Sequence, residues 1–197
     1  DFGMQLFPDD IGRMEKNMEA AIDIVPCFGH AGIKQVINGP MIWSPDAAAL
    51  VGPHPGLTNH FVACGMIPGF SQSAGVGWAL ADWILEGEPP VDMMPLDVSR
   101  FGEWTTKGYT LAKTAENYGK RFAISYPAEE RPAGRPLKTP PIYDLLQAEG
   151  AVFGASFGFE RPLWFARDGE EARDILTFRR PNWFAAVRRE CQALRTS

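Results

Sequence analysis

The clearest pattern of apolar and polar positions lies in residues 59–87. Phe61, Val62, Ala63 and Cys64 make a short apolar run that stops at Gly65, as a buried strand does. Gly65 and Gly69 bracket a turn where the missing Cβ lets backbone approach a ligand closely. Ser71 or Ser73 is expected to cap a helix. Val76, Leu80, Trp83 and Ile84 follow at helical spacing, and Gly87 with Pro89-Pro90 ends the run. The prediction is strand, glycine turn, helix.

Upstream, Asp9 and Asp10 are placed to cap a helix whose stripe is Met14, Met18, Ala21, Ile22 and Val25, ended by Pro26. Such a stripe is expected to face a core. Ile33, Val36 and Ile37 suggest a strand closed by Asn38-Gly39-Pro40. Ser44-Pro45-Asp46 reads as a turn or a ligand loop. Residues 47–51 predict another strand, closed by the Gly/Pro cluster at 52–56. Short strands with tight turns, one of them feeding a helix, suggest a mixed sheet closing around a ligand.

Residues 88–97 are rich in Pro, Glu, Asp and Met and look like a crossing between two folding units. Ser99 or Thr105 is expected to start a helix with Tyr109, Ala112, Ala115 and Tyr118 as its apolar stripe, continued by Phe122 and ended by Tyr126-Pro127. Residues 128–141 are charged and proline-rich, hence an exposed loop. Its Arg131 and Arg135 are candidates for anion binding, against a solvated-loop alternative. A short helix over 141–149, a strand over 151–157, a run over 160–165 whose aromatics would anchor a core, and a last amphipathic helix over 183–194 complete the expectation.

Composition narrows the function classes. A chain of 197 residues with 45% hydrophobic content can bury a sizeable core. A net charge of −5 argues against a nucleic-acid footprint. No apolar run approaches the roughly 20 residues of a membrane helix. Cys27, Cys64 and Cys191 are odd in number and widely spaced, which disfavours a disulfide framework. Cys64 is expected to pack as a small apolar residue. His30, His54 and His60 lack metal-site spacing. Gly75-Val76-Gly77 is followed by Trp78-Ala79-Leu80, so the third glycine of a dinucleotide fingerprint is missing, and no Walker loop or GxSxG occurs. Asp23, Asp46, Glu103 and Glu160 look isolated.

What remains is the turn. A helix that starts where a buried strand ends aims several free N–H groups and about half a positive charge at one point. An electron-rich group is the expected neighbour. The alternative is an ordinary tight strand-to-helix connection, and the local pattern leaves both open.

Several segments in fixed order resemble the flavin-dependent amine oxidoreductases related to D-amino-acid oxidase. They are Asn38-Gly39-Pro40, Ser44-Pro45-Asp46, Val51-Gly52-Pro53, the 61–65 run and Ser73-Ala74-Gly75-Val76-Gly77. Ala81-Asp82-Trp83-Ile84 and Glu86-Gly87-Glu88-Pro89-Pro90 resemble the dimethylglycine and sarcosine dehydrogenase branch. Leu96-Asp97-Val98-Ser99-Arg100-Phe101-Gly102, Trp104-Thr105-Thr106, Gly134-Arg135-Pro136, Phe159-Glu160-Arg161-Pro162 and Arg179-Arg180-Pro181-Asn182-Trp183-Phe184 extend the similarity to nearly the whole chain.

The resemblance implies an α+β chain. Residues 1–92 would be the C-terminal part of an FAD-dependent oxidoreductase domain, with a mixed sheet plus helices. Residues 93–197 would be a small α+β linking domain. It also implies an internal piece: a dinucleotide fold, with any covalent flavin attachment, before Asp1, and a tetrahydrofolate-binding domain after Ser197. The substrate would be an N-methylated amino acid, dimethylglycine or sarcosine. Hydride would pass to flavin N5 and the one-carbon unit to tetrahydrofolate. The implied FAD contacts are Gly65, Met66, Ile67, Gly69, Phe70, Ser71 and Gln72, with backbone N–H groups of 69–72 facing the electron-rich edge of the ring and the Gln72 amide as a further donor. Pro68 removes one donor from this set. No catalytic residue and no metal is assigned; His54, His60 and Tyr109 are at most candidates to support the groups that touch the substrate. Electron-transfer flavoprotein is an implied acceptor, nucleic acid and membrane are not implied partners, and the compartment is bacterial cytoplasm or mitochondrial matrix. Two other readings stay open: a non-enzymatic interaction module, and a plain flavin amine oxidase without folate.

Overall fold

The computed structural model describes residue 3 and residues 5–196. By contact it divides into two units, residues 1–42 and residues 43–197.

The first unit holds one helix, α1 (Glu15–Ile24), between 3-10 turns at Ile11–Met14 and Pro26–His30. Asp10 stands at the N-cap position of the first turn but makes no side-chain cap. Residues 31–42 take no regular secondary structure, so the strand expected at 33–37 does not form. Two hydrogen bonds tie the ends of the unit, Phe7 N to Asn38 O at 2.7 Å and Asn38 Nδ2 to Pro8 O at 2.7 Å. The stripe expected to be core is not: no residue of α1 is buried, and Met14, Ile22 and Val25 are exposed. An amphipathic stripe needs an opposing apolar surface, and none among the described residues covers it.

The second unit begins with a clamp. Ser44 Oγ donates to the Ala48 carbonyl at 2.6 Å, and Ala48 N donates to Asp46 Oδ1 at 3.1 Å. Strand β1 (Leu50–Pro53) follows and pairs antiparallel with β2 (Phe61–Cys64), Val51 opposite Ala63. Helix α2 (Gly69–Glu86) packs back on this ribbon and ends at Gly87, φ +84, as expected. Ala49, Val51, Val76, Ala79 and Met93 form the buried core, with Met66, Leu80, Trp83 and Leu96 around it. Each large side chain so buried contributes about 1.5–3 kcal/mol. Gly52 is required here: its φ is +113, and a Cβ would lie 2.7 Å from the Trp83 ring. Residues 93–97 lie against β1, through Val51 N to Leu96 O at 2.8 Å and a parallel bridge from Val51 to Asp97.

Helix α3 (Lys107–Gly119) is capped by Thr106, whose Oγ1 accepts from Tyr109 N at 3.2 Å. Its buried residue is Lys113, not the expected Ala115 or Tyr118, and Phe122 is exposed. Lys113 tolerates burial because Nζ donates to Glu116 at 3.1 Å and to the Arg131 carbonyl. Helix α4 (Tyr143–Ala148) leads into β3 (Ala151–Ser156), which turns at Phe157-Gly158 into β4 (Phe159–Phe165). Helix α5 (Trp183–Thr196) closes a second core of Val152, Trp164 and Ala186. Glu160, only 1% exposed, takes a two-pronged contact from Arg135 at 2.8 and 2.7 Å. The architecture is α+β, but in place of one mixed sheet the described residues form two antiparallel ribbons, each with a single parallel bridge attached. Cys64 is exposed rather than packed, because β2 has a partner on one side only.

Candidate functional site

Strand β2 delivers the chain into the turn through Gly65, which is buried with φ +72. A Cβ there would find backbone no closer than 3.8 Å, so conformation rather than space calls for glycine. Gly69 is the reverse case. Its backbone is ordinary, yet nothing lies within 4 Å of where its Cβ would be. The turn therefore has an open face at the first residue of α2.

The donors on that face are fewer than the sequence suggested. Pro68 is the N-cap, and no side chain caps the helix. The Pro68 carbonyl accepts from Ser71 N and Gln72 N, both at 3.1 Å, and from Ser71 Oγ at 3.0 Å. Ser71 thus sits inside the first turn and is not its cap; Ser73 lies further in. The backbone N–H groups of Ser71 and Gln72 are taken. Those of Gly69 and Phe70 meet no acceptor among the described residues. The Phe70 side chain is fully exposed. Met66 packs on the core, while Ile67 and Pro68 line a neighbouring cavity.

That cavity, of about 400 Å³, also has Trp43, Asn117, Arg121 and Arg131 in its wall. A second, of about 460 Å³, shares Asn117 and Arg131 and adds Asp46, Tyr109 and Glu130. Asn117 Nδ2 donates to the Pro45 carbonyl, which fixes α3 against the 44–46 turn. The Tyr109 hydroxyl is pushed up in pKa, first by burial and then by Asp46, so it stays a neutral donor. Glu129 is held below its ordinary value by the hydrogen bond from Lys120, then by that from Tyr126 N.

Ser44-Pro45-Asp46 had two readings, turn or ligand loop. Asp46 is engaged on the turn side: Arg100 Nε meets Oδ2 at 2.7 Å and Nη2 meets Oδ1 at 3.0 Å. The two loop arginines also separate. Arg135 is committed to Glu160 and to the Phe153 carbonyl. Arg131 donates through Nη2 to Ser125 Oγ at 3.0 Å, but its Nη1 is buried without a hydrogen-bond acceptor. The sequence missed Trp43, whose indole Nε1 is likewise buried and unpaired. The only signal for it was an aromatic directly before Ser44-Pro45-Asp46. His54 and His60 stack edge-on at 5.7 Å, exposed at the far end of the β1–β2 ribbon, and line neither cavity.

The FAD dependent oxidoreductase central domain matches residues 86–139. Rat mitochondrial dimethylglycine dehydrogenase is 43% identical over 187 residues, 94% of this chain and 22% of its own length. A 4-methylaminobutanoate oxidase (formaldehyde-forming) from Paenarthrobacter nicotinovorans is 34% identical over 87% of this chain and 21% of its own length. Mouse mitochondrial sarcosine dehydrogenase is 33% identical over 90% of this chain and 19% of its own length. The chain thus spans about a fifth of the length of these relatives. No helix among the described residues is long and apolar enough to cross a membrane. By sequence the chain belongs to the family of FAD-dependent oxidoreductases that contains the dimethylglycine and sarcosine dehydrogenases, and residues 86–139 carry its central domain.

Proposed function

We propose that this chain is part of an FAD-dependent dehydrogenase that oxidatively demethylates N-methylated glycine, either dimethylglycine or sarcosine. The observation that carries the reading is 43% identity to dimethylglycine dehydrogenase over a stretch that includes the open turn. The residues present fit the cofactor: Gly69 leaves room for a flat ring, and the Gly69 and Phe70 amides point no donor at protein. FAD supplies the hydride acceptor. In this reading Gly65, Met66, Ile67, Gly69, Phe70, Ser71 and Gln72 are its contacts on this chain. Gly69 and Phe70 supply the N–H groups, Ile67 an apolar wall, and Gln72 a side-chain amide. Residues 1–92 would complete the flavin domain and residues 93–197 the linking domain. Transfer of the one-carbon unit to tetrahydrofolate, electron-transfer flavoprotein as acceptor, and a mitochondrial matrix or bacterial cytoplasmic setting belong to the same proposal.

The test is anaerobic mixing of the full-length protein with dimethylglycine or sarcosine. Loss of the oxidised-flavin absorbance with one of them is expected. Neither amine bleaching the flavin would overturn the reading. The relative whose name ends "formaldehyde-forming" favours a second version, an oxidase that releases its one-carbon unit free. Formaldehyde release that added tetrahydrofolate leaves unchanged would select that version.

A further inference from the structure

The far end of the β1–β2 ribbon carries two histidines that the proposed flavin site does not use. In the sequence His54 and His60 are separated by residues 55–59, which is no metal-site spacing. The hairpin removes that separation. Pro53 pairs with Phe61, and the next step along the same register sets His54 opposite His60. The His54 backbone N–H donates to the His60 carbonyl at 2.8 Å, which carries the pairing one step past the strands. Side chains directly opposite each other in an antiparallel pair stand on one face, with Cβ atoms about 4.5–5.5 Å apart. The two ring centroids lie 5.7 Å apart, with the rings at 82° to one another.

The turn holds the pair in place. Pro55 confines His54 to extended backbone. Leu57 N donates to the His54 carbonyl at 3.2 Å, and Gly56 and Asn59 take left-handed backbone at φ +81 and +57. Both histidines are exposed, and no hydrogen bond or ion pair among the described residues occupies either imidazole. Exposed rings turn about their side-chain torsions within nanoseconds, so one nitrogen of each reaches a shared point without backbone movement. Imidazole nitrogen binds zinc at about 2.0–2.1 Å, which sets the centres of two rings on one ion roughly 4.5–6.5 Å apart. The observed 5.7 Å falls inside that span. With the ligands already paired, the second bond to an ion is intramolecular.

We infer that His54 and His60 form a two-imidazole site for a first-row divalent transition-metal ion, with copper held more tightly than nickel or zinc. Imidazole suits these ions, whereas magnesium and calcium take oxygen ligands. No group of three or more His, Cys, Asp or Glu able to hold a metal occurs among the described residues. The other positions on the ion therefore go to water or to a small ligand. The site lies at the opposite end of β2 from the Gly69 turn and does not rest on the proposed function.

The experiment is equilibrium dialysis of the full-length protein against copper(II) chloride, with magnesium chloride as the control, beside His54→Gln, His60→Gln and the double variant. The parent protein should hold one more copper ion per chain than the double variant. Each single variant should weaken that ion about tenfold or more, because chelation is lost. Copper bound by the double variant with the parent's stoichiometry and affinity overturns the site. A single variant that binds as the parent does overturns the pairing, since one imidazole then suffices. A readout independent of any variant is the electron paramagnetic resonance of the parent protein with one equivalent of copper. Splitting from two nitrogen ligands is expected, and a spectrum with one nitrogen or none overturns the inference.

Discussion

Replacing Gly69 with alanine should raise stability and lower flavin affinity. Gly69 opens α2 in an ordinary backbone conformation, and the position of its Cβ has no neighbour within 4 Å. Alanine there narrows the unfolded ensemble without strain, which is worth about 0.4–1 kcal/mol. If a flavin ring occupies the open space, the same methyl group overpacks it, at a cost of about 1–3 kcal/mol. The FAD dissociation constant should then rise roughly five- to 150-fold. Thermal unfolding of the flavin-free full-length protein and FAD titration read the two effects separately. Gly52→Ala is the contrast. At φ +113 and 2.7 Å from Trp83 it combines backbone strain with a clash, and stability should fall by about 2–5 kcal/mol. A Gly69→Ala protein that melts higher and binds FAD as tightly as before would remove Gly69, and with it the open face, from the flavin site.

Two further outcomes test the second half of the chain. Glu160→Gln takes one of two carboxylates from Arg135, leaving Glu130 at 3.4 Å, and should cost about 1.5–3 kcal/mol in urea unfolding; Glu160→Leu with Arg135→Met should recover most of it, and a single variant as stable as the parent would refute the argument. Glu129 tests the acid limb. Its folded pKa is depressed by Lys120 and Tyr126 N, so its stabilising contribution is complete above the ordinary carboxylate value and is lost as pH falls through the lower folded value. Glu129→Gln should flatten that part of the curve of urea midpoint against pH, and parallel curves for the two proteins would show that Glu129 contributes nothing there.

What the sequence made legible was set by range. The run Phe61–Cys64, the break at Gly65, the stop at Gly87 and the closing helix all depend on residues a few positions apart, and all formed, although the strand expected to be buried has no buried residue. Asp46 and Glu160 looked isolated because their partners are remote, Arg100 at 54 positions and Arg135 at 25. Periodicity failed in α3 because a lysine there is satisfied at two acceptors and can be buried, which an apolar count does not foresee. The donors at the turn were overcounted for a related reason: which first-turn amides stay free depends on the local conformation at Pro68, not on spacing.

Helix α2 carries the last step. Val76, Ala79, Leu80 and Trp83 turn to the core, while Phe70, Ala74, Trp78, Ala81 and Leu85 lie at helical spacing on the opposite side and are exposed. A helix apolar on both sides belongs between two layers. From Phe70 to Leu85 the outer face runs roughly 22 Å at 1.5 Å per residue. A three-ring cofactor at the open turn would cover only the Phe70 end. The proposed reading therefore requires polypeptide over Trp78 and Leu85 as well as flavin beside Gly69, so the same helix has to be both a cofactor's rest and an interior element of a larger flavin domain.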